Sequence, residues 1–174
     1  IIEIKSINSG FIKLFNREVC FYSPPKSDIV IFDECNNHYI TDYILNGIPS
    51  FTYKMRPVKI YISFSVIYLF FRSLRFFNWK GIKTRKRKLR AIGKELLCHY
   101  HLGCFQFISP KVVITFIDNS GGFQWLAKNL RSAQFFAVQN GNRTINQVKN
   151  SLPYYHQHFF CFGSYEKDLY TQYG

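Results

Sequence analysis

The sequence predicts an α/β fold: a Rossmann-like, three-layer domain with a mostly parallel sheet of about five or more strands. Three observations predict it. Short runs rich in β-branched and aromatic residues recur and end in polar, often glycine-containing loops. Segments with helical spacing lie between these runs. The 174 residues are enough for one hydrophobic core, so we expect a single domain over residues 1–174.

The amino-terminal part predicts one βαβ unit. A buried strand is predicted over residues 28–33 and a short helix over 38–45, which Asn46-Gly47 ends. A second strand follows over 50–54, and parallel pairing of the two strands requires the crossover between them. A weaker pattern predicts a short strand near residues 11–15.

Residues 57–109 predict a helical segment that is aromatic and basic. Its most apolar part, residues 60–71, is an uncharged run of twelve residues, shorter than the roughly 20 that span a bilayer. We expect a buried or interface helix there, with a helix in the membrane surface or a span as alternatives. A second helix should run to about Tyr100, with an apolar stripe formed by Leu89, Ile92, Leu96 and Leu97.

The formal net charge is +13, and much of the excess lies in one basic run. Three interpretations stay open: a solvated helix face without a partner, attraction to anionic lipid head groups, and nucleic-acid binding. No recognised nucleic-acid-binding module surrounds the run, which disfavours the third. The run consists of Lys83, Arg85, Lys86, Arg87, Lys88 and Arg90.

After Pro110 strands and helices alternate clearly. Strands are predicted over residues 112–117, 135–138 and 158–162. Helices are predicted over residues 123–130, over 144–150 and from Tyr165 onward. With the first unit, this makes at least five strands with helices between them, which means a parallel sheet.

The sequence predicts no metal site and no cofactor bound by this domain. The five cysteines are widely spaced without a CxxC pair, which favours free thiols in a reducing, cytoplasmic compartment. The glycines form neither a GxGxxG fingerprint nor a P-loop, which disfavours NAD and ATP. His156 and His158 should point to one face of an extended segment, but no carboxylate motif completes a metal-ligand set.

Two loops carry the candidate site. Asp118 and Asn119 follow a predicted buried strand and precede Gly121, where a carboxylate and an amide could orient or activate a sugar hydroxyl. Asp118 as the cap of the next helix is the structural alternative. The next strand ends in a second polar loop, whose amides and guanidinium suit a phosphorylated ligand, with a tight Asn-Gly turn as the alternative. Its candidate binding residues are Gln139, Asn140, Gly141 and Arg143, and Gly163 after the last strand joins them.

A resemblance to a known family rests on three stretches, at residues 110–119, 136–143 and 159–163. Together with Tyr170 and Gly174 they resemble bacterial surface-carbohydrate biosynthesis proteins, similar to GT-B-type glycosyltransferases of capsule or O-antigen assembly. The likeness covers roughly residues 28–174 and is strongest after Pro110.

The resemblance implies the amino-terminal, acceptor-side domain of a two-domain enzyme. Asp118 would have an acid–base role, and Asn119, Gln139, Asn140 and Arg143 would line the cleft. The nucleotide-sugar donor would bind a missing carboxyl-terminal domain, so we expect a fragment that is inactive alone. A lipid-linked acceptor would place the protein peripherally on the inner face of the plasma membrane. The alternatives are a non-catalytic module for a phosphorylated sugar or anionic lipid, and a basic nucleic-acid-binding protein.

Overall fold

The computed structural model describes residues 18–33, 36–55, 59–77, 85–150 and 153–173. The strand predicted near residues 11–15 lies outside the described residues. Within them the strands are β1 (Glu18–Cys20), β2 (Ile29–Phe32), β3 (Phe51–Tyr53), β4 (Lys59–Tyr61), β5 (Val112–Thr115), β6 (Gln134–Val138) and β7 (His158–Phe160).

Five of these strands form one parallel sheet, in the order β3-β2-β5-β6-β7. The predicted α/β fold class, a Rossmann-like domain with a parallel sheet of five strands, is confirmed. If these five strands are renumbered by their order along the chain, their order in the sheet is 2-1-3-4-5. The chain therefore places β3 on one side of β2 and then places β5, β6 and β7 on the other side. The switch point lies between β2 and β5, and open sheets of this kind bind ligands outside the carboxyl ends of the strands there.

Helices connect the strands, and local sequence sets their ends. Ser63, Ser120 and Thr144 cap their helices, each side chain accepting a backbone N–H. Asn46 and Gly47, both at positive φ, end the first helical segment. The helices are α1 (Asn37–Tyr39), continued by a π-helical turn (Ile40–Leu45), α2 (Phe64–Ser73), continued by a 3-10 turn (Leu74–Phe76), α3 (Arg85–Ile108), α4 (Gly121–Asn129), α5 (Ile145–Lys149) and α6 (Ser164–Tyr173).

The central strands β2 and β5 are buried on both faces of the sheet, as their unbroken apolar sequences require. On one face, Val30, Phe32 and Val113 pack with Phe105 of α3 and Phe123 of α4. On the other face, Ile31 and Ile114 pack with Ile40 and Leu45 of the first helical segment. The alternation of neighbouring residues between faces places α1 opposite α3 and α4, which gives the three layers.

A single helix was predicted for the apolar run at residues 60–71, and the structure instead shows a strand followed by a helix. Its first residues belong to β4, which pairs in parallel with β1 in a separate two-stranded sheet. The helix begins only at Phe64, where the Ser63 side chain supplies the cap. A uniformly apolar run contains no marker of this change, because β-branched and aromatic residues fit both structures.

The two middle helices also differ from the prediction in burial and length. In α2 only Val66 and Ser73 are buried, so of the expected buried or interface helix the buried form is wrong, and the interface form stays a prediction. Helix α3 continues to Ile108 rather than ending near Tyr100, and in the predicted stripe Leu89 and Leu96 are exposed. The buried side chains of α3 come later, from Cys98 onward, because only this half covers the sheet.

Helices α2 and α3 pack closely and antiparallel. The Phe70 backbone lies so near Gly103 that a Cβ there would be 2.9 Å from the Phe70 nitrogen. Further along, Ser73 contacts His99, with 3.0 Å between the Ser73 hydroxyl and His99 Nδ1. Among the described residues, no helix is both long and apolar enough to cross a membrane.

Candidate functional site

The loops that follow β5 and β6 meet at the carboxyl edge of the sheet. The strands pair in register, Thr115 beside Ala137, so Asp118 and Asn140 follow at equal distances along the chain. Arg143 Nη2 donates a hydrogen bond of 2.8 Å to Asp118 Oδ1, and a second of 2.7 Å to Asn140 Oδ1. The two predicted candidate loops are therefore in direct contact through an ion pair.

Asp118 is fully buried within this ion pair. Burial raises the pKa of its carboxyl, while the Arg143 guanidinium and the backbone N–H groups of Asn140 and Asn119 oppose the rise. Oδ1 is held by Arg143, and Oδ2 has no hydrogen-bond partner among the described residues. Oδ2 therefore makes no hydrogen bond of normal geometry to a described residue, although the backbone N–H groups of Asn140 and Asn119 lie near enough to the carboxylate to stabilise its charge.

Gln124 of α4 supports the Asp118 loop from below, and its role was missed in the sequence. Its Nε2 donates to the Asp118 carbonyl at 3.0 Å, and its Oε1 accepts from the Tyr155 N–H at 2.7 Å. The ring nitrogen Nδ1 of His156 lies 2.9 Å from Gln124 Nε2. Ser120, rather than Asp118, caps α4, so the capping alternative for Asp118 is corrected. From the sequence, Gln124 can be recognised only as a residue of a helix, because helical spacing does not identify the partners of its side chain. Its contacts were therefore not predicted.

Gln139 is fully buried and joins two loops. Its Nε2 donates to the Gly141 carbonyl at 2.9 Å, and its Oε1 accepts from the Phe162 N–H at 3.2 Å. Its own N–H donates to the Phe160 carbonyl at 2.9 Å. In this arrangement Gln139 holds the loop after β6 against the loop after β7, and its amide is satisfied internally.

Of the remaining predicted site residues, the structure places Asn140 and Gly141 beside the ion pair. Asn119 and Asn140 are exposed, Gly121 opens α4, and Gly163 is exposed before α6. Gly141 lies beside the guanidinium: a Cβ there would be 3.9 Å from Arg143 Nη1. Neither Asn140 nor Gly141 has a positive φ, so the alternative considered for this described loop, a tight Asn-Gly turn that uses positive φ, is not observed.

Tyr170 of α6 belongs to the same neighbourhood. Its hydroxyl is buried without a hydrogen-bond partner of normal geometry among the described residues. Burial raises the pKa of this phenol, the nearby Tyr154 and Asp118 raise it further, and Arg143 lowers it. The ring packs edge-on against Phe159 with centroids 4.6 Å apart. Tyr170 belongs to the residues that carry the resemblance, but it was not predicted as a site residue.

The two histidines before the last strand do not share a face, which corrects the expectation. His156 is half-buried and lies near Phe123, on the α4 side of the sheet. His158 stacks on Phe136 with centroids 4.3 Å apart, on the opposite side. The described residues contain no group of three His, Cys, Asp or Glu side chains placed to hold a metal ion.

The basic run is only partly described. Lys83 lies outside the described residues, Arg85, Lys86, Arg87 and Lys88 open the backbone of α3, and Arg90 is exposed on that helix. The described part of the run lies on the same helix whose later half packs on the sheet. It lies on a different element from Asp118 and Arg143.

Fold and site together define a doubly wound α/β domain with a carboxylate–guanidinium pair at the carboxyl edge of its sheet. Comparison with models of protein families, with curated proteins and with solved structures gave no significant match.

Proposed function

We propose that the chain is the acceptor-side domain of a glycosyltransferase-like protein in bacterial surface polysaccharide biosynthesis. The observation that carries the proposal is the Asp118–Arg143 pair, 2.8 Å apart, at the carboxyl edge of a doubly wound sheet. Ligands of such sheets bind outside the carboxyl ends of the strands. The resemblance described above supplies the class of reaction.

The guanidinium has donors left for a ligand. Both hydrogen bonds that Arg143 makes to described residues come from Nη2, which leaves the N–H groups of Nη1 and Nε. The Arg143 side chain is 17% exposed. The exposed Asn140 accepts a hydrogen bond from it, and the exposed Asn119 follows its ion-pair partner Asp118 in the chain. Charged donors next to amides suit a ligand that combines phosphate oxygens with hydroxyl groups.

In this proposal Asp118 is the general base. The loop that bears Asp118 must open for this step, because Oδ2 is fully buried. Oδ2 then takes the proton of an acceptor hydroxyl while the acceptor oxygen forms a bond to the anomeric carbon of the donor sugar. The bond from that carbon to the phosphate oxygen of the nucleotide breaks, and the nucleotide leaves with the electron pair. The resemblance places the donor on a second domain. Burial makes the carboxylate a stronger base, because it raises the pKa of Asp118.

One observation favours a second candidate, a non-catalytic module that binds a phosphorylated sugar. Asp118 is 0% exposed and already paired with Arg143, as expected for a buried ion pair that holds two loops together. In that case Arg143 would contact the ligand and Asp118 would only position Arg143. The two candidates therefore share a ligand and differ in the need for the Asp118 carboxylate.

Binding can be tested by saturation-transfer-difference NMR with glucose 1-phosphate, and with glucose and inorganic phosphate as comparisons. Arg143→Gln should abolish the signal of glucose 1-phosphate. Arg131→Gln is the matched control, since Arg131 is exposed just before β6, at the opposite edge of the sheet. No signal with the original chain, or equal signals in both variants, would refute the proposed site.

Catalysis can be tested with the complete protein that the native reading frame encodes. Transfer of labelled sugar from nucleotide sugars to membrane lipids should fall at least about a hundredfold in Asp118→Asn, as for loss of a general base. Binding of glucose 1-phosphate should persist in this variant, because asparagine still accepts a hydrogen bond from Arg143. Unchanged transfer by the folded variant would remove Asp118 from the chemistry, whereas no transfer by the unsubstituted protein would favour the non-catalytic binding module.

A further inference from the structure

The outward face of α2 is apolar, the reverse of an ordinary surface helix. Phe64 is 88% exposed and Phe71 63% exposed, and Ile67 and Tyr68 between them are also exposed. These four residues have the spacing i, i+3, i+4, i+7, so they form one stripe along the helix. We call this stripe the α2 outer face. Soluble monomers rarely expose contiguous apolar patches unless the patch binds something.

The opposite side of α2 already holds the helix in place. Val66 and Ser73 are buried, and the Ser73 hydroxyl donates to the Phe70 carbonyl at 2.7 Å and lies 3.0 Å from His99 of α3. The close approach of Phe70 to Gly103 adds backbone packing to this side. The α2 outer face is therefore not needed to seat the helix on the domain.

Positive charge borders the α2 outer face. Arg72 and Arg75 are exposed where the helix ends, and the Arg75 guanidinium lies 4.7 Å from the centre of the Phe76 ring. Phe76 is itself 68% exposed. Exposed aromatic rings beside arginines match the composition of helices that lie in the head-group region of a bilayer.

The surrounding sequence has charge of one sign only. Residues 43–94 contain thirteen Lys and Arg and no Asp or Glu, while the rest of the chain has ten of each sign. The whole formal net charge of +13 thus arises in the stretch that contains α2. Since α2 and α3 are antiparallel, the end of α2 that bears Arg72 points toward the half of α3 that contains the basic run.

We propose that the α2 outer face docks on an anionic lipid bilayer. The aromatic side chains enter the boundary between head groups and acyl chains, and Arg72 and Arg75 pair with lipid phosphates. Charge decides between a bilayer and a second copy of this chain. A second copy would bring two strongly basic surfaces together, whereas anionic head groups neutralise them. The proposal draws on the proposed function only in that a lipid-linked acceptor would be found at such a surface.

The test is co-sedimentation of the chain with vesicles of phosphatidylcholine or of phosphatidylcholine and phosphatidylglycerol in equal amounts. We expect binding to the anionic vesicles, weakened by added salt. The double variant Phe64→Ser, Phe71→Ser should bind at least about tenfold more weakly, because two large apolar side chains no longer enter the bilayer. Tyr43→Ser is the matched control: Tyr43 is 78% exposed, on the helical segment that covers the opposite face of the sheet.

An insertion reporter separates docking from simple adsorption of the basic run. In Phe64→Trp, the emission of the new tryptophan should shift to shorter wavelength with anionic vesicles, and Tyr43→Trp should show no such shift. Equal binding by the double serine variant and the original chain would overturn the proposal. So would a dimer in size-exclusion chromatography that this variant converts to a monomer, since the face would then be self-complementary. No sugar is used, so failure here is distinct from failure of the sugar-phosphate site.

Discussion

Asp118 and Arg143 are separated by 25 positions in the chain and yet form a hydrogen-bonded ion pair, with 2.8 Å between Oδ1 and Nη2. The pair joins the loops after two neighbouring parallel strands, so its geometry depends on the register of β5 and β6. The same ion pair is expected to affect both the stability of the domain and its proposed function. Asp118 is fully buried, and its charge is tolerated because Arg143 supplies the opposite charge.

Removal of Arg143 alone should destabilise the domain strongly. Arg143→Met leaves the Asp118 carboxylate buried without its partner, and we expect a loss of about 3 kcal/mol in the free energy of unfolding. Asp118→Leu combined with Arg143→Met should recover most of that loss. Urea titration of both single variants and the double variant gives the coupling energy.

The Lys111–Asp28 pair provides the control for this cycle. Its atoms lie 2.9 Å apart, but both side chains are largely exposed. Asp28→Asn should therefore change the free energy of unfolding by less than about 1 kcal/mol. Equal effects at the two pairs would mean that burial does not set the strength of the Asp118–Arg143 interaction.

The Gln124 amide should matter about as much as a buried ion-pair partner. Gln124→Ala leaves the Asp118 carbonyl and the Tyr155 N–H without their hydrogen-bond partner, and we expect a loss of about 2–3 kcal/mol. Gln106→Ala, at an exposed position of α3, is the matched control and should be nearly neutral. Thermal unfolding of the two variants measures the difference. A neutral Gln124→Ala would show that water replaces the amide without cost.

The main sheet could be predicted from the sequence, and the contact between the two loops of the candidate site follows from that sheet. Runs such as residues 112–117 are apolar without alternation, which requires burial on both faces of a sheet. Parallel strands then deliver the residues that follow them to one edge, so the proximity of Asp118 and Arg143 follows from strand order. The register of β5 and β6 brings the two loops level with each other, because Thr115 lies opposite Ala137.

What could not be predicted depends on contacts between distant segments. The pairing of β4 with β1 joins residues about 40 positions apart, and nothing in the uniform apolar run marks the change from strand to helix. The exposure of Phe64 and Phe71 is invisible in the sequence, since a helical stripe looks the same whether it faces the core or solvent. Gln124 and His156 meet across 32 positions for reasons of packing alone.

Gly103 should be the most sensitive glycine of α3. In Gly103→Ala the new methyl group would lie 2.9 Å from the Phe70 nitrogen, a backbone atom, so α2 must shift. We expect a loss of about 1–3 kcal/mol, as for overpacking. Gly93→Ala on the same helix is the control: nothing lies within 4 Å of its Cβ, so it should stabilise by up to about 1 kcal/mol. Opposite signs in thermal unfolding are expected, and stabilisation by both changes would mean that α2 is not held against α3.

Acid should destabilise the domain through its buried histidines. Burial lowers the pKa of His156 to about 4, and burial lowers the pKa of His99 although Glu95 opposes the change. A histidine in the unfolded chain titrates near pH 6.5, so the unfolded state takes up protons first as the pH falls. The contribution of these groups to stability is therefore complete above about pH 6.5 and is lost toward about pH 4. Asp118 acts with the opposite sign, because its raised pKa lets the folded state hold a proton more readily than the unfolded chain.

The share of His156 in this acid effect can be isolated by substitution. Because its ring is half-buried, solvent screening reduces the effect, and we expect His156→Gln to remove about 1–2 kcal/mol of the stability lost between about pH 7 and pH 4.5. His158→Gln is the control, since the His158 ring is exposed on the other side of the sheet. Urea midpoints at both pH values measure the difference for each variant. If His156→Gln and the original chain lose equal stability on acidification, the packing of His156 against Gln124 and Phe123 does not keep its ring neutral, and another group must bind the proton.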